Sequence, residues 1–449
     1  MSIHPCRFGD FVEQIYKTIK EAVDKVRIID THEHLLQETE RVAKKPDLFE
    51  TFLAHYASSD LVSSGMSLEE LEKVRNSGLP LEKRWEILEP FWERIQNTGY
   101  ARAVNIAIRD LYGVDGISAD TCHELASRME EANRPGLYEW ILKEKSRIDL
   151  SILDSLSDPL EDVDRRFFAP VTRFNDFVMA KERLDFEALA KRCGKPIHSF
   201  SDLIQAVELE FEKASKMMVG VKIDLAYLRN LRFDKVSQSE AEEVFVSIYN
   251  QELFRERQLD NRVEIVPEGL SLRETKPLQD FMVHKIVQLA GKKSLPIQIH
   301  TGLQEGNENI ISNSNPTLLT NLFREYREVR FDVFHGSYPY TGELAVLAKN
   351  FQNVHIDMCW LHIISPYAAR QALAEWLDTV PWNKILGFGG DYIFVEGVYG
   401  HSVIARENIA RVLTEKVEEG SLSEDHAVWL AGKMLRDNAY ELFLPKQDS

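Results

Sequence analysis

Cysteine is scarce in this chain. Four residues in 449, Cys6, Cys122, Cys193 and Cys359, stand far apart with no Cys-x-x-Cys pair. That usage excludes a disulfide-stapled scaffold and a cysteine-based zinc finger, and it suits a reducing compartment. Long apolar runs are missing too: no stretch of 18 apolar residues is available to cross a bilayer, and the charged segment from Arg7 to Lys25 lacks a signal-peptide core. The expectation is a cytoplasmic protein with no membrane partner. Positive charge is in deficit, with 54 Lys and Arg against 72 Asp and Glu and a formal net charge of -18. Nucleic acids and anionic membranes reward basic patches, so neither is expected as a partner. No glycine-rich phosphate loop follows the first apolar run, which argues against a dinucleotide fold.

What remains is an ordinary globular composition, 44% hydrophobic and 28% charged, with ample material for a core. The organising stretch is Arg27-Ile28-Ile29-Asp30-Thr31-His32-Glu33-His34-Leu35. It reads as a short strand, and side chains two apart on a strand share a face, so His32 and His34 point the same way. Two adjacent imidazoles can grip a divalent metal. With 13 histidines a chance His-x-His is no rarity, so the pair needs partners.

The rest of the chain supplies a rhythm. Residues 7–25 have helical spacing, including Ile15, Ile19 and Val23. A stretch from about 36 to 146 is helical and rich in aromatic residues, as in Leu81–Ile95, Tyr100–Leu111 and Asp120–Ala132; core packing is the expected fate of most of those rings. After it, short apolar runs recur at Ile148–Leu153, Phe167–Thr172, Val219–Ala226, Pro296–His300, Val329–His335, Val354–Met358 and Ile385–Gly390. Helical spacing fills most gaps, as in Phe186–Cys193, Phe200–Lys216, Leu278–Ala290, Thr317–Tyr326 and Ser402–Val417. With the first run these make eight βα repeats, the count of a closed (β/α)8 TIM barrel of the α/β class. No linker splits the chain, so residues 1–449 are read as one domain with a helical insertion after the first strand.

Barrel enzymes carry their chemistry at the C-terminal ends of strands. His300 ends the fifth run, His335 the sixth, and Gly389-Gly390-Asp391 the eighth. A lone strand-end histidine is usually structural, and Gly-Gly-Asp is usually a turn. The coincidence of His32, His34, His300, His335 and Asp391 at strand ends changes that balance. Lys222 in Val219–Leu225 points inward by alternation, where a bare ammonium is costly. Three roles are open to it: an ion pair with an acid such as Asp224, contact with a substrate carboxylate, or conversion by carbon dioxide to a carbamate that bridges two metals. Arg173, Arg229 and Tyr338 lie just beyond strand ends and are candidates for holding a substrate carboxylate.

The ordered set His-x-His, Lys, His, His, Asp resembles the amidohydrolase superfamily of metal-dependent barrel enzymes. Within it, Arg84–Ile117 looks like the helical insertion of uronate isomerases, whereas Pro296–Gly302 (PIQIHTG) and His335–Tyr340 (HGSYPY) look like the amidohydrolase-type domain fused to glutamine synthetase-like proteins. The resemblance implies metal ligation by His32, His34 and His300, with Asp391 as ligand and proton shuttle. His335 would be a second-metal ligand or a polarising group. Where a true uronate isomerase would carry an arginine- and asparagine-rich loop after the fifth strand, Gln304-Glu305-Gly306-Asn307 stands instead. The expected function is therefore metal-dependent hydrolysis of an amide, ester or lactone in a small polar, carboxylate-bearing substrate. The alternatives on the same scaffold are a uronate isomerase-like aldose–ketose isomerase and a non-oxidative decarboxylase. The expected cofactor is one or two divalent ions, most simply zinc, with manganese, iron or nickel as alternatives. Apolar surface on the insertion leaves room for a homo-oligomer.

Overall fold

The structure, a computed structural model, describes residues 8–155, 159–250, 255–259, 262–266 and 269–444. Eight parallel strands follow one another in chain order: β1 (Ile28–Glu33), β2 (Ile148–Leu153), β3 (Phe168–Arg173), β4 (Gly220–Ile223), β5 (Ile297–Ile299), β6 (Phe331–Val333), β7 (Val354–Asp357) and β8 (Ile385–Leu386). Backbone bonds bring the two ends of this sheet together. The Thr31 N–H donates to Phe388 O at 3.1 Å, Asp391 N–H to His32 O at 2.8 Å, and His34 N–H to Tyr392 O at 3.0 Å. The architecture is the (β/α)8 barrel expected from the rhythm of the sequence.

β1 is buried along its whole length, as befits a parallel strand with side chains inside the barrel on one face and helices on the other. The outer helices follow the 3.6-residue period. In Phe200–Ala214 the residues Phe200, Leu203, Ala206, Val207 and Phe211 are buried. Regular pairing is shorter than the apolar runs suggested: β5, β6 and β8 stop at Ile299, Val333 and Leu386 rather than at His300, His335 and Gly390. Two of the residues beyond explain why. His335 (φ 60°) and Asp391 (φ 57°) are left-handed, a conformation incompatible with a ladder. An antiparallel hairpin, Arg255–Leu259 with Arg262–Val266, lies between β4 and β5; its sequence had offered no clear signal.

Between β1 and β2 the chain builds a helical unit from Glu38–Ala43 through Cys122–Ala132 to a π-helical turn at Glu139–Lys145. Trp85, Leu88, Trp92 and Ile95 are buried, so that face is core. Helix Gly99–Tyr112 lies so close to helix Val395–Glu418 that a Cβ at Gly400 would overlap the Ala103 carbonyl. The unit sits at the C-terminal mouth of the barrel: Tyr56 OH donates to the Asp391 carbonyl, and Asn307 Nδ2 to Ser59 O at 3.1 Å. No helix among the described residues is long and apolar enough to cross a membrane. Cys122, Cys193 and Cys359 are free thiols, and Cys6 lies outside the described residues.

A buried ion pair braces the insertion from within. Asp47 caps helix Leu48–Phe52 by accepting from Phe49 and Glu50 N–H, and it also takes a bidentate grip from Arg84, whose guanidinium is 1% exposed. Burial would raise the Asp47 pKa, but Arg84 and the two helix donors hold it below the usual range. Asp47→Asn leaves the buried guanidinium uncompensated and is expected to cost about 3 kcal/mol, measured by denaturant unfolding. Because the folded-state pKa is depressed, the stabilisation is present above the ordinary aspartate range and is lost as pH falls through the folded value. A cost under about 0.5 kcal/mol would show that the pair is dispensable.

Candidate metal centre

His32 on β1 and His34 just past its end converge, with their Nε2 atoms 3.3 Å apart. Facing them, His300 after β5 and His335 after β6 approach through Nδ1 and Nε2 at 3.0 Å. Asp391 stands between the two pairs. Its Oδ1 is 3.3 Å from His34 Nε2 and 3.6 Å from His32 Nε2, and its Oδ2 is 3.8 Å from His335 Nε2. His32 and His335 are fully buried, and His34 keeps the most contact with solvent of the three.

The outer nitrogens fix what the inner ones can do. His34 Nδ1 lies 2.9 Å from Asp154 O, His335 Nδ1 3.1 Å from Cys359 O, and His300 Nε2 2.9 Å from Leu303 O. A carbonyl only accepts, so each of these nitrogens carries the proton, assigned here from its partner. Burial holds His300 well below its ordinary pKa, aided by His335 and Lys222, and pushes His335 down to about 4. Both rings are then neutral, and two lone pairs face each other at 3.0 Å. Acceptors that close repel unless a cation lies between them. Outer N–H groups tied to carbonyls are how metal-ligating histidines are oriented. Burial also depresses His32, with Lys222 and His34 adding to it, whereas His34 is raised because Asp391 and Asp154 outweigh its burial. Asp391 is held well below the carboxylate range: burial opposes ionisation, but the surrounding imidazoles overcome it. Two donor groups share Asp391, namely His32–His34–Asp391 and His335–Cys359–Asp391. Imidazole and carboxylate donors fit a divalent transition ion.

The backbone that presents Asp391 is held by β1. Asp30 Oδ1 accepts from Gly390 N–H at 3.0 Å and Glu33 Oε2 from Tyr392 N–H at 2.8 Å. Space is tight enough to require glycine: a Cβ on Gly389 would lie 2.7 Å from Cys359 Cβ, and one on Gly390 would overlap Glu33 Oε1.

Residues 262–444 match the family described as Amidohydrolase. A 176-residue segment is 31% identical to the protein fluG of Emericella nidulans, a match covering 38% of this chain and only a fifth (20%) of that relative's length. Among solved structures, a uronate isomerase of Thermotoga maritima superposes with a TM-score of 0.76 at 16% identity, over 98% of this chain and 100% of that one. A glucuronate isomerase of Caulobacter crescentus gives 0.74 at 17% identity, over 100% and 98%. At these identities the structural likeness speaks for the fold.

The barrel thus carries an Amidohydrolase match over its C-terminal residues 262–444 and shares its fold with uronate isomerases.

Of the residues singled out in the sequence, the barrel brings His32, His34, His300, His335 and Asp391 together. Lys222 joins them, fully enclosed, with Nζ 3.2 Å from His32 Nε2 and 3.8 Å above the Phe334 ring. The ion pair with Asp224, one of the three roles open to Lys222, does not form, because Arg173 and Asn175 hold that carboxylate. Arg173 is also bidentate to Asp154, at 2.6–3.0 Å. Arg229 is bonded to Gln279, Asp280 and the Arg232 carbonyl, a structural cluster around helix Leu272–Lys292. Both guanidiniums, candidates for holding a substrate carboxylate, are thus already paired with protein acids. Tyr338 contributes its backbone, with its carbonyl accepting from Leu303 N–H at 2.7 Å.

Sequence reasoning missed Asp154, Cys359 and Tyr56. Asp154 directly follows β2, so the strand-end criterion that found Asp391 would have found it. Cys359 lies just past β7. Tyr56 comes from the insertion, and no local pattern announces it. A cleft of about 690 Å³ opens beside Arg173 and Phe174 but includes none of the imidazoles; chemistry, not volume, locates this site.

Gly390→Ala is expected to weaken divalent-metal retention by about 10- to 100-fold while leaving the fold in place, since Glu33 and the Asp391 backbone must separate. Chelator competition measures it, and wild-type affinity in the variant would mean that Asp391 tolerates displacement.

Proposed function

We propose that this amidohydrolase-superfamily enzyme is a metal-dependent hydrolase that cleaves an amide, ester or lactone in a small polar substrate bearing a carboxylate. The observation that carries the proposal is the ionised Asp391 enclosed by imidazoles whose inner nitrogens converge while their outer N–H groups are tied to carbonyls. In this reading His32, His34, His300, His335 and Asp391 hold the ion. A divalent cation there, most simply zinc, supplies Lewis acidity to a carbonyl oxygen and to water.

The chain's own groups do the rest. Asp391 takes a proton from water as its oxygen adds to the substrate carbonyl carbon. It returns that proton to the leaving nitrogen or oxygen as the bond to carbon breaks. His335, with Nδ1–H committed to Cys359 O, offers a lone pair at Nε2 and so serves as a ligand rather than as a donor to an oxyanion. Whether one ion or two are held turns on Lys222. As an amine it donates to His32, and as a carbamate it would offer two oxygens to a second ion. The stacked rings of Tyr56 and Trp360, 4.4 Å apart, with Tyr100 beyond, wall off bulk water above His335. For the substrate carboxylate, Arg75 takes the place of the two engaged arginines. It lines a cleft of about 440 Å³ with His55 and Ile393, and its buried Nε has no partner among the described residues.

A second reading, an aldose–ketose isomerase, is favoured by the full-length likeness to uronate isomerases. Continuous acid titration with product mass separates the two. Hydrolysis adds one water and, for an ester or lactone, releases acid, whereas isomerisation leaves the mass unchanged. Assayed at matched metal content, Asp391→Asn should lower turnover by about 10²–10⁴-fold, or roughly 3–5 kcal/mol in barrier. Activity within about threefold of wild type would assign the proton to another group.

A further inference from the structure

β8 stops pairing at Leu386, and the five residues Gly387–Asp391 that follow include three glycines. A segment so permissive cannot place a carboxylate by its own stiffness, and Asp391 itself sits at φ 57°. The carbonyls of this segment are captured one by one, by five donors from four places in the chain. Gly387 O accepts from His362 Nε2 at 3.0 Å, Phe388 O from Thr31 N–H at 3.1 Å, and Gly389 O from Trp360 N–H at 3.0 Å. Gly390 O accepts from His401 Nδ1 at 3.0 Å, and Asp391 O from Tyr56 OH.

Two of these donors are buried histidines with no place in the mechanism. His401, on helix Val395–Glu418, grips the carbonyl of the peptide between Gly390 and Asp391, while the N–H of that same peptide donates to His32 O at 2.8 Å. The plane from which the Asp391 φ is measured is thus clamped at both ends. His362, after β7, holds the other end of the glycine run and is itself braced: its Nδ1 accepts from Asn408 Nδ2 at 3.3 Å, and Asn408 Oδ1 accepts from Arg370 at 3.0 Å. Both rings are fully enclosed and lie 6.0 Å apart. Partnered with carbonyls, each is in the tautomer that donates, and burial keeps them neutral.

We propose that His401 and His362 are positioning residues that set the direction of the Asp391 carboxylate by fixing the two ends of the Gly387–Gly390 segment. The backbone consequence stands on the hydrogen bonds alone; the consequence for metal affinity rests on the reading of Asp391 as a ligand.

The test compares wild type, His401→Leu, which removes the donor, and His401→Asn, whose short side-chain amide places an N–H near the position of Nδ1. Two quantities are read: cobalt(II) affinity by chelator competition, and amide hydrogen exchange of a peptide covering residues 387–392. His401→Leu should bind cobalt at least about tenfold more weakly, the range seen when an outer partner of a metal ligand is lost, and should exchange faster in that peptide. His401→Asn should return both to within about threefold of wild type. Wild-type affinity and exchange in His401→Leu would overturn the proposal. So would equal losses in both variants, which would assign His401 to ring packing. If His401→Leu fails to fold, His401→Asn decides: near-wild-type values support the clamp, and a tenfold loss refutes it. If wild type binds no cobalt, the metal reading fails, and the exchange data still decide the clamp.

Discussion

A negative charge enclosed by imidazoles is the constraint on which this molecule turns. Asp391 is buried, which disfavours its charged form, yet it is held ionised by the rings around it. Those rings cannot rotate away, because His34, His300 and His335 each donate their outer N–H to a backbone carbonyl. The inner nitrogens of His300 and His335 are left as facing lone pairs, an arrangement that is unfavourable without a cation and well suited to one. Everything else near the mouth serves to keep those atoms where they are.

That service extends down the barrel axis. Asp30 and Glu33 are fully buried acids whose pKa values burial raises, to about 6 for Asp30 and well above normal for Glu33, yet each accepts an N–H from the segment that carries Asp391. Asp332 and Asp357 are likewise raised by burial, Asp357 to about 7. Lys222 stands in register with Arg173, Gln298 and Asp332 across β3, β4, β5 and β6, so two cations share this layer. The barrel interior is thus rich in buried acids whose charged forms burial disfavours, a surrounding that would favour a divalent cation at its mouth. The cost of the arrangement is visible in the backbone, where His335, Trp360 and Asp391, two, three and five residues beyond the ends of β6, β7 and β8, all adopt left-handed conformations.

How much of this could be read from the sequence follows from how local each signal is. The eight strands were legible because short apolar runs alternate with helical spacing. His32 and His34 were legible because strand alternation alone puts them together. His300, His335 and Asp391 followed from one rule about where barrels carry chemistry. Arg173 and Arg229 misled because a strand-end arginine looks the same whether its partner is a ligand or a protein acid, and Asp154, Asp224 and Asp280 are distant in sequence or on other elements. Tyr56, His362 and His401 were invisible for a related reason: each acts on a carbonyl, and a carbonyl has no signature in a sequence. The left-handed turn at Asp391 was hinted at only by the glycines before it.

The central claim is that the converging imidazoles and Asp391 hold a divalent ion. Elemental analysis of protein purified from metal-replete medium, followed by reconstitution of chelator-treated protein, tests it most directly. The account predicts roughly one or two equivalents of a first-row divalent metal per chain, restored on reconstitution. Less than about a tenth of an equivalent, with no uptake on reconstitution, would contradict it.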